Sequence, residues 1–479
     1  MNYGMIRIVI GWVLQLEGLF MLLPLLVSFI YKESAYKSFL PVIVGALILG
    51  TLLKRREPEN RNFYLRDGFV SASLTWIVMS AVGAIPFLLS GSITSVVDAL
   101  FETVSGFTTT GASILPEVES LPKSILFWRS FTHWIGGMGV LVFLLMILPV
   151  KGGSSMNLMK AESPGPDVGK FVPKVRATAM ILYKIYIVMS IIQFLFLLAG
   201  GMNTFDTLTT TFGTAGTGGF GIKNDSMAGY STYIQVVVTI FMILFGVNFG
   251  FYFLIAKKKV KDAFHVEEVW WYLGIIGTAI FVITANIRDL YPTYGKAFQQ
   301  ASFQVGSIIT TTGFASADFD LWPAASRTIL VMIMFCGACA GSTGGGIKVS
   351  RFAILLKTIK KELYQILHTR SVKRIKLGGK VVDNEVLRST NVFMITYTVI
   401  FAFSVLALAF DGKDLVTNFT AVTATLNNIG PGLELVGPSA NFGVFSSGAK
   451  WVFIFDMLAG RLELFPLLLL FMPETWKKN

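Results

Sequence analysis

The chain has 479 residues, 53% of them hydrophobic and 14% charged, where a soluble domain carries about 25% charged residues, and its mean hydropathy is +0.66. This excludes a soluble enzyme or a sizeable soluble domain, because apolar stretches of about 20 residues, long enough to cross a bilayer, recur from end to end. The net charge of +12 does not argue for nucleic acid, since the basic residues form short clusters between apolar runs, where membrane topology accounts for them.

The apolar segments run over 5–31, 36–54, 66–90, 122–150, 176–200, 229–256, 268–288, 324–362, 388–410 and 447–472. The first is too long for a signal-peptide core and no small-residue cleavage site follows it, so it reads as a retained helix. Ten segments place both termini on one side. Cytoplasmic loops hold the excess of Lys and Arg, and the clusters Lys54, Arg55, Arg56, Arg61, Arg66, then Lys151, Lys160, Lys170, Lys174, Arg176, then Lys257, Lys258, Lys259, Lys261 fall on alternate loops. A fourth cluster holds Lys357, Lys360, Lys361, Arg370, Lys373, Arg374 and Lys376. These loops and both termini are expected in the cytoplasm. The opposite loops carry Asp98, Glu102, Glu117, Glu119, Asp206, Asp225, Asp289, Asp318, Asp320, Asp411, Asp414 and Glu434. Either they concentrate cations at an entrance or outer loops are simply poor in Lys and Arg.

From about residue 66 onward, each outer loop contains a short apolar segment ending in a polar stretch with glycine: FETVSGFTTTGAS (101–113), LTTTFGTAGTGGF (208–220), FQVGSIITTTGFA (303–315) and TAVTATLNNIGPG (420–432). Aligned on Gly111, Gly218, Gly313 and Gly430, they recur at intervals of 107, 95 and 117 residues. Four copies of one unit around an axis make a pore. A bare ion in a bilayer needs a shell of oxygens, and rings of backbone carbonyls supply one without net charge. Glycine lets the backbone leave helical geometry cheaply, the helix before it aims its negative end at the cavity, and irregular backbone is tolerated where it lines a wet cavity. The expected lining is Thr109, Thr110, Gly111; Gly216, Thr217, Gly218; Thr311, Thr312, Gly313; and Asn428, Ile429, Gly430. The threonine hydroxyls either brace the loops or help hold the ion; backbone coordination is the favoured reading. The fourth loop, NNIGPGLE, departs by placing Asn427 and Asn428 where the others have Thr or small residues, so the symmetry is approximate.

Residues Gly337 to Gly346 hold five glycines with Ser342 and Thr343, which works against a helix and is expected to break the 324–362 segment near mid-membrane. A phosphate-loop reading of GSTGGGIKVS fails, because Ile347 stands where that motif needs Lys and no strand precedes it. Cys336 and Cys339 read as small residues that let helices pack. Arg461, inside the last segment, is costly there and marks a functional position; it either opposes permeation, anchors loop carbonyls, or pairs with Asp456 or Glu463. Only His133, His265 and His368 occur, scattered singly, without a nucleophile–base pair or metal-ligand cluster, so no enzyme is expected. His133 reads as a packed helix residue.

The four loops resemble those of the Trk/Ktr/HKT superfamily of K⁺ transporters, TrkH type, over nearly the whole chain. FWRSFTHWIGGMGV (127–140), GACAGSTGGGIKVSRF (337–352), AGRLELFP (459–466) and the extra helix pair before residue 60 carry the resemblance further. It implies an all-α polytopic membrane protein with four pseudo-symmetric helix, pore-helix, filter, helix repeats around one pore: an N-terminal pair over 1–60, then repeats over 61–165, 166–262, 263–380 and 381–479. It implies K⁺ as the transported ion with no organic cofactor, a bacterial inner-membrane location, a homodimer among membrane lipids, and a cytosolic ring of nucleotide-binding, TrkA-like regulatory subunits. Gly111 argues against the serine that marks some Na⁺-preferring relatives. The matching family loop lies under the filter as a gate, which assigns that role to Gly341, Ser342, Thr343, Gly344, Gly345 and Gly346 with Arg461. A Na⁺-permeable or H⁺- or Na⁺-coupled symporter of the same fold is the alternative, and an organic-solute carrier a further one, for which broken midplane helices would be expected instead of four filter loops.

Overall fold

The computed structural model describes residues 1–56, 58, 64–139, 175–371 and 373–477. Among them, six helices are long and apolar enough to cross a membrane: Tyr3–Ile30, Tyr36–Lys54, Leu65–Leu89, Arg176–Ala199, Glu267–Leu290 and Asn384–Ala409. Their outward side chains, such as Leu19, Ile48, Phe281 and Phe403, are exposed and apolar, as a hydrocarbon solvent requires. The first two form an N-terminal pair that crosses closely where Gly11 meets Gly50: a Cβ on either would lie within 3.0 Å of the other's carbonyl oxygen. Small residues permit that approach, and without a hydrophobic driving force in lipid such packing holds the pair together.

Each of the other four long helices leads to a short one, Val96–Phe107, Thr204–Ala215, Tyr294–Ile309 or Leu415–Leu426. At about 1.5 Å per residue these reach only part-way across a core of roughly 30 Å. A polar side chain starts each one: Ser95, Asn203, Thr293 and Asp414 accept from the backbone N–H three residues on, meeting one of the helix's orphan donors. After each glycine loop comes a further helix: Lys123–Met138, Thr232–Phe245, Ala324–Phe335 and Ser447–Arg461.

These last helices all stop early. The third breaks over residues 336–348 and resumes as Val349–Leu367, as its glycines led us to expect. The second breaks too, turning by 89° into Phe249–Ala256, with Asn248 accepting from Gly250 N at 2.7 Å to start the new helix. The fourth ends where Glu463 and Leu464 take positive φ, and Leu464 N reaches back to Ala459 O at 2.8 Å. The expected continuous segments 229–256 and 447–472 are therefore corrected to broken ones. Mean hydropathy hid this, because the residues at both breaks are mostly apolar. The first stops at Gly139, with φ +75°; the rest of segment 122–150, the basic residues Arg61 and Lys151–Lys174, and the boundaries at 60/61 and 165/166 lie outside the described residues. The strands Lys376–Leu377 and Lys380–Val381 pair antiparallel around Gly378 and Gly379, both at positive φ, a tight hairpin turn.

Candidate functional site: a ring of four glycine loops over a buried loop

The four short helices end in the same way. Thr109, Thr217, Thr311 and Asn428 take φ between +54° and +58°. The following residue's N–H bonds back to a carbonyl five residues earlier: Thr110 to Ser105, Gly218 to Gly213, Thr312 to Ser307 and Ile429 to Ala424, at 2.8–2.9 Å. This is the Schellman ending of a helix, normally built on glycine. β-Branched threonine in the left-handed region is a genuine outlier, and such strain persists only where the surroundings over-determine it.

Two residues after each strained position comes a glycine that also has positive φ: Gly111, Gly219, Gly313 and Gly430. The second repeat is thus in register through Gly219, one residue beyond the Gly218 of the sequence alignment. Gly218 instead occupies the place of Thr110, Thr312 and Ile429. The assignment is secured by a cyclic contact. A Cβ on Gly111 would come within 3.0 Å of Gly218 O, on Gly219 of Thr312 O, on Gly313 of Ile429 O, and on Gly430 of Thr110 O. Each loop leans on the next and the fourth leans on the first, so the loops close into a ring. Gly111, Gly219, Gly313 and Gly430 together line one cavity.

Side chains brace the ring from behind. Thr108 Oγ1 lies 2.8 Å from Thr110 Oγ1, and Thr310 Oγ1 lies 2.7 Å from Thr312 Oγ1. In the fourth loop, Asn428 Nδ2 donates to Thr110 Oγ1 and to Met457 O at 2.9 Å, and Asn427 Nδ2 to the Tyr397 hydroxyl at 2.8 Å, so the asparagines do the work of the threonine pairs. His133 is buried; its Nε2 accepts from Phe220 N at 3.2 Å, which leaves Nδ1–H to donate to Gly106 O at 2.7 Å. It is the packed helix residue expected, and it links the first short helix to the second loop. Glu102 pairs with Arg129 Nε at 2.5 Å and also accepts from Ile114 N at 3.0 Å, while Arg129 Nη1 donates to Gly221 O at 2.8 Å. A buried pair with its remaining atoms bonded fixes geometry more than it adds stability.

Several of the acids on the loops opposite the basic clusters are held locally. Asp98 pairs with Lys450 at 2.6 Å, Asp206 accepts from the Tyr230 hydroxyl at 2.8 Å, and Asp320 and Glu434 lie near Arg327 at 3.5 and 3.7 Å. The charged side chains lining the cavity are Arg129 and Lys223, and none of the carboxylates named above is among its lining residues.

Directly under the ring lies the broken stretch 336–348. Cys336 pairs with Ile347 in parallel, and both cysteines are buried and free. Gly345 N donates to Thr311 Oγ1 at 2.7 Å, a Cβ on Gly345 would touch Asn428 within 3.0 Å, and Thr343 Oγ1 donates to Phe245 O at 3.3 Å. Gly341 O accepts from Phe249 N at 3.0 Å and Ser342 Oγ bonds to Cys339 O. Gly346 takes φ +68°. Three charged residues hold this stretch. Arg461 donates to Thr343 O at 3.0 Å and to the carbonyls of Gly136 and Gly137; Glu463 accepts two bonds from Arg351 and Asp456 one from Ser404. Of the three readings of Arg461, carbonyl anchoring is the one these contacts match. Lys348, 1% exposed, donates from Nζ to Gly344 O and Gly345 O. Glu268 Oε1 accepts from Ala340 N and Ser350 N at 2.7 and 3.1 Å. Sequence reasoning passed over Lys348 and Glu268; the available signal was a lone basic residue directly after GGGI inside an apolar run.

The fold and this site define a polytopic helical membrane protein in which four helix-and-loop units converge on one cavity. The family described as TrkH, cation transport protein, matches residues 36–478, and the chain belongs to it. It is 37% identical, over all of both chains, to the Trk system potassium uptake protein TrkH of Salmonella typhimurium, and 33% identical over the same full span to TrkG of Escherichia coli. The crystal structure of the potassium transporter TrkH from Vibrio parahaemolyticus superposes with a TM-score of 0.89 at 34% identity, covering 100% of both chains.

Proposed function

We propose that this chain takes up K⁺ across the bacterial inner membrane through the ring, with both termini cytoplasmic, and that it works as a homodimer under a cytosolic nucleotide-binding ring. The observation that carries the ion path is the cyclic closure of the four loops, which sets four backbones around one cavity. The names of the full-length relatives favour potassium.

The chemistry follows from the residues. Each short helix ends with its carbonyl pole at the ring, which favours a cation. The carbonyls of Thr110, Gly218, Thr312 and Ile429, with those of the strained residues before them, replace water around the ion. The hydroxyls of Thr110, Thr311 and Thr312 and the amide nitrogens of Asn427 and Asn428 are used in bracing. Thr109 Oγ1 is buried without a hydrogen-bond partner among the described residues, so the backbone carries most of the coordination and the Thr109 hydroxyl is the side-chain oxygen left to join it. Below, Gly341–Gly346 closes the path at rest, held by Arg461 and Lys348, and withdraws when cytoplasmic elements move. No organic cofactor takes part.

The test is purified chain in proteoliposomes under opposed K⁺ and Na⁺ gradients. The reversal potential is expected to follow K⁺. A potential that follows Na⁺, or that appears only with an organic solute or a pH gradient, overturns the reading in favour of a Na⁺-permeable or coupled carrier.

A further inference from the structure

Helix Val349–Leu367, which leaves the buried loop, has two contrasting faces. Leu356, Ile359, Leu363, Ile366 and Leu367 form an exposed apolar stripe at the helical repeat. Beside that stripe runs a cleft lined by Lys357, Lys360, Lys361, Lys373, Arg374 and Lys376, the last three supplied by the chain as it folds back into the hairpin. Among the described residues, two carboxylates pair with these six cations, Glu267 with Lys357 and the exposed Glu362 with Lys361. Lys373 also lies over the Tyr364 ring at 4.0 Å and Lys357 donates to Lys376 O, yet six cations against two carboxylates leave the cleft a positive excess.

A second feature meets the first at one residue. An apolar groove runs along helix Glu267–Ile287, walled by Trp270, Trp271, Ile275, Val282 and Ile333. Its floor is open at Gly274, where a Cβ would meet nothing within 4 Å. The groove begins at Glu267, whose carboxylate accepts from Lys357 Nζ and from Gly378 N. Tryptophans at one end of a lipid-facing groove mark the level of the headgroups.

We propose that this junction binds an anionic phospholipid, its headgroup phosphate in the six-cation cleft and an acyl chain in the Trp270–Ile333 groove. A free phosphate would use the cleft alone, and a soluble protein would have no use for a groove at membrane depth. Clustered Lys and Arg beside a membrane-embedded surface recognise anionic headgroups, and the groove supplies what the tails require. The proposal needs only that the chain is membrane-embedded and does not depend on which ion it carries.

Full-length chain is reconstituted in phosphatidylcholine vesicles containing either brominated phosphatidylglycerol or brominated phosphatidylcholine, and quenching of tryptophan fluorescence is measured. The contribution of Trp270 and Trp271 is isolated by difference from the Trp270→Phe, Trp271→Phe variant. Phosphatidylglycerol is expected to be preferred by about tenfold at these two residues, a preference that weakens with salt. Changing Lys360, Lys361, Lys373 and Arg374 together to Gln should bring the preference toward one, while Lys360→Arg with Lys361→Arg keeps it. Equal quenching by the two lipids in the unmodified chain overturns the proposal, as does a preference that survives the four-fold Gln change in correctly assembled protein. So does an absent preference together with lost binding of a soluble partner protein, which would assign the cleft to that protein.

Discussion

Threonine tolerates the left-handed region poorly, at a cost of about 1–2 kcal/mol per residue, yet Thr109, Thr217 and Thr311 all occupy it. Thr311 uses its hydroxyl to accept from Gly345 N, which ties the ring to the loop below, while Thr217 donates to the adjacent Gly216 O at 2.6 Å within its own turn. The glycines two positions on have no such latitude, because any Cβ strikes the neighbouring loop's carbonyl. Gly219→Ala is therefore expected to lower the K⁺/Na⁺ permeability ratio by about tenfold, the equivalent of about 1.4 kcal/mol, and Gly111→Ser to do the same. Reversal potentials in bi-ionic solutions measure this. An unchanged ratio in well-assembled Gly219→Ala protein would place the ion path away from that carbonyl layer.

Elements here are set by their ends. Asp414 starts the fourth short helix, accepting from Thr417 N at 2.9 Å and from its hydroxyl, and those bonds hold its carboxyl below the usual range. A lowered folded value means that the stabilisation is present above the unfolded pKa of about 3.9 and is lost as the pH falls through the lower folded one. Asp414→Ala should cost about 1 kcal/mol at pH 7, with the gap to the unmodified chain closing below about pH 4. Thermal unfolding in detergent at both pH values reads it, and an equal gap throughout would deny the capping role. The buried loop is likewise an element held at its edges by charge. Each hydrogen bond to a charged group contributes about 1.5–3 kcal/mol, so Arg461→Ala or Lys348→Met is expected to shift the proposed closed-to-withdrawn equilibrium by about tenfold or more. K⁺ flux should rise with an unchanged K⁺/Na⁺ ratio, as it should on deleting residues from Gly341 to Gly345. Lower flux in assembled mutants would mean that the loop supports the path and does not close it.

At the scale of the molecule, the second helices of the last three units break just below the ring, while the N-terminal pair stands outside them as a continuous pair. Under the proposed gating, movement takes place at these breaks and not at the ring. If a cytosolic subunit drives that movement, uptake by the reconstituted chain should depend on a cognate subunit and a nucleotide, and the two should co-purify. Flux indifferent to any added subunit would remove the regulatory ring from this account.

The sequence alone determined the long unbroken spans, the four glycine loops, the break at 337–346 and the placement of Arg461 within an apolar segment, because each of these is a local matter: apolar length, a helix-breaking composition, or a charge where charge is costly. Tertiary structure decided the rest. GTGGF offers two glycines in a row, and only closure against Thr312 O selects Gly219 as the equivalent of Gly111. The breaks at 246–248 and 463–464 are invisible to hydropathy, since a turn built from Asn248 or from Leu464 changes the direction of the chain without making it polar. Lys348, Glu268 and the Glu102–Arg129 pair read as isolated charges in sequence, because what they hold lies up to 92 residues away. Periodicity reports which residues are buried, and only the folded chain reports against what.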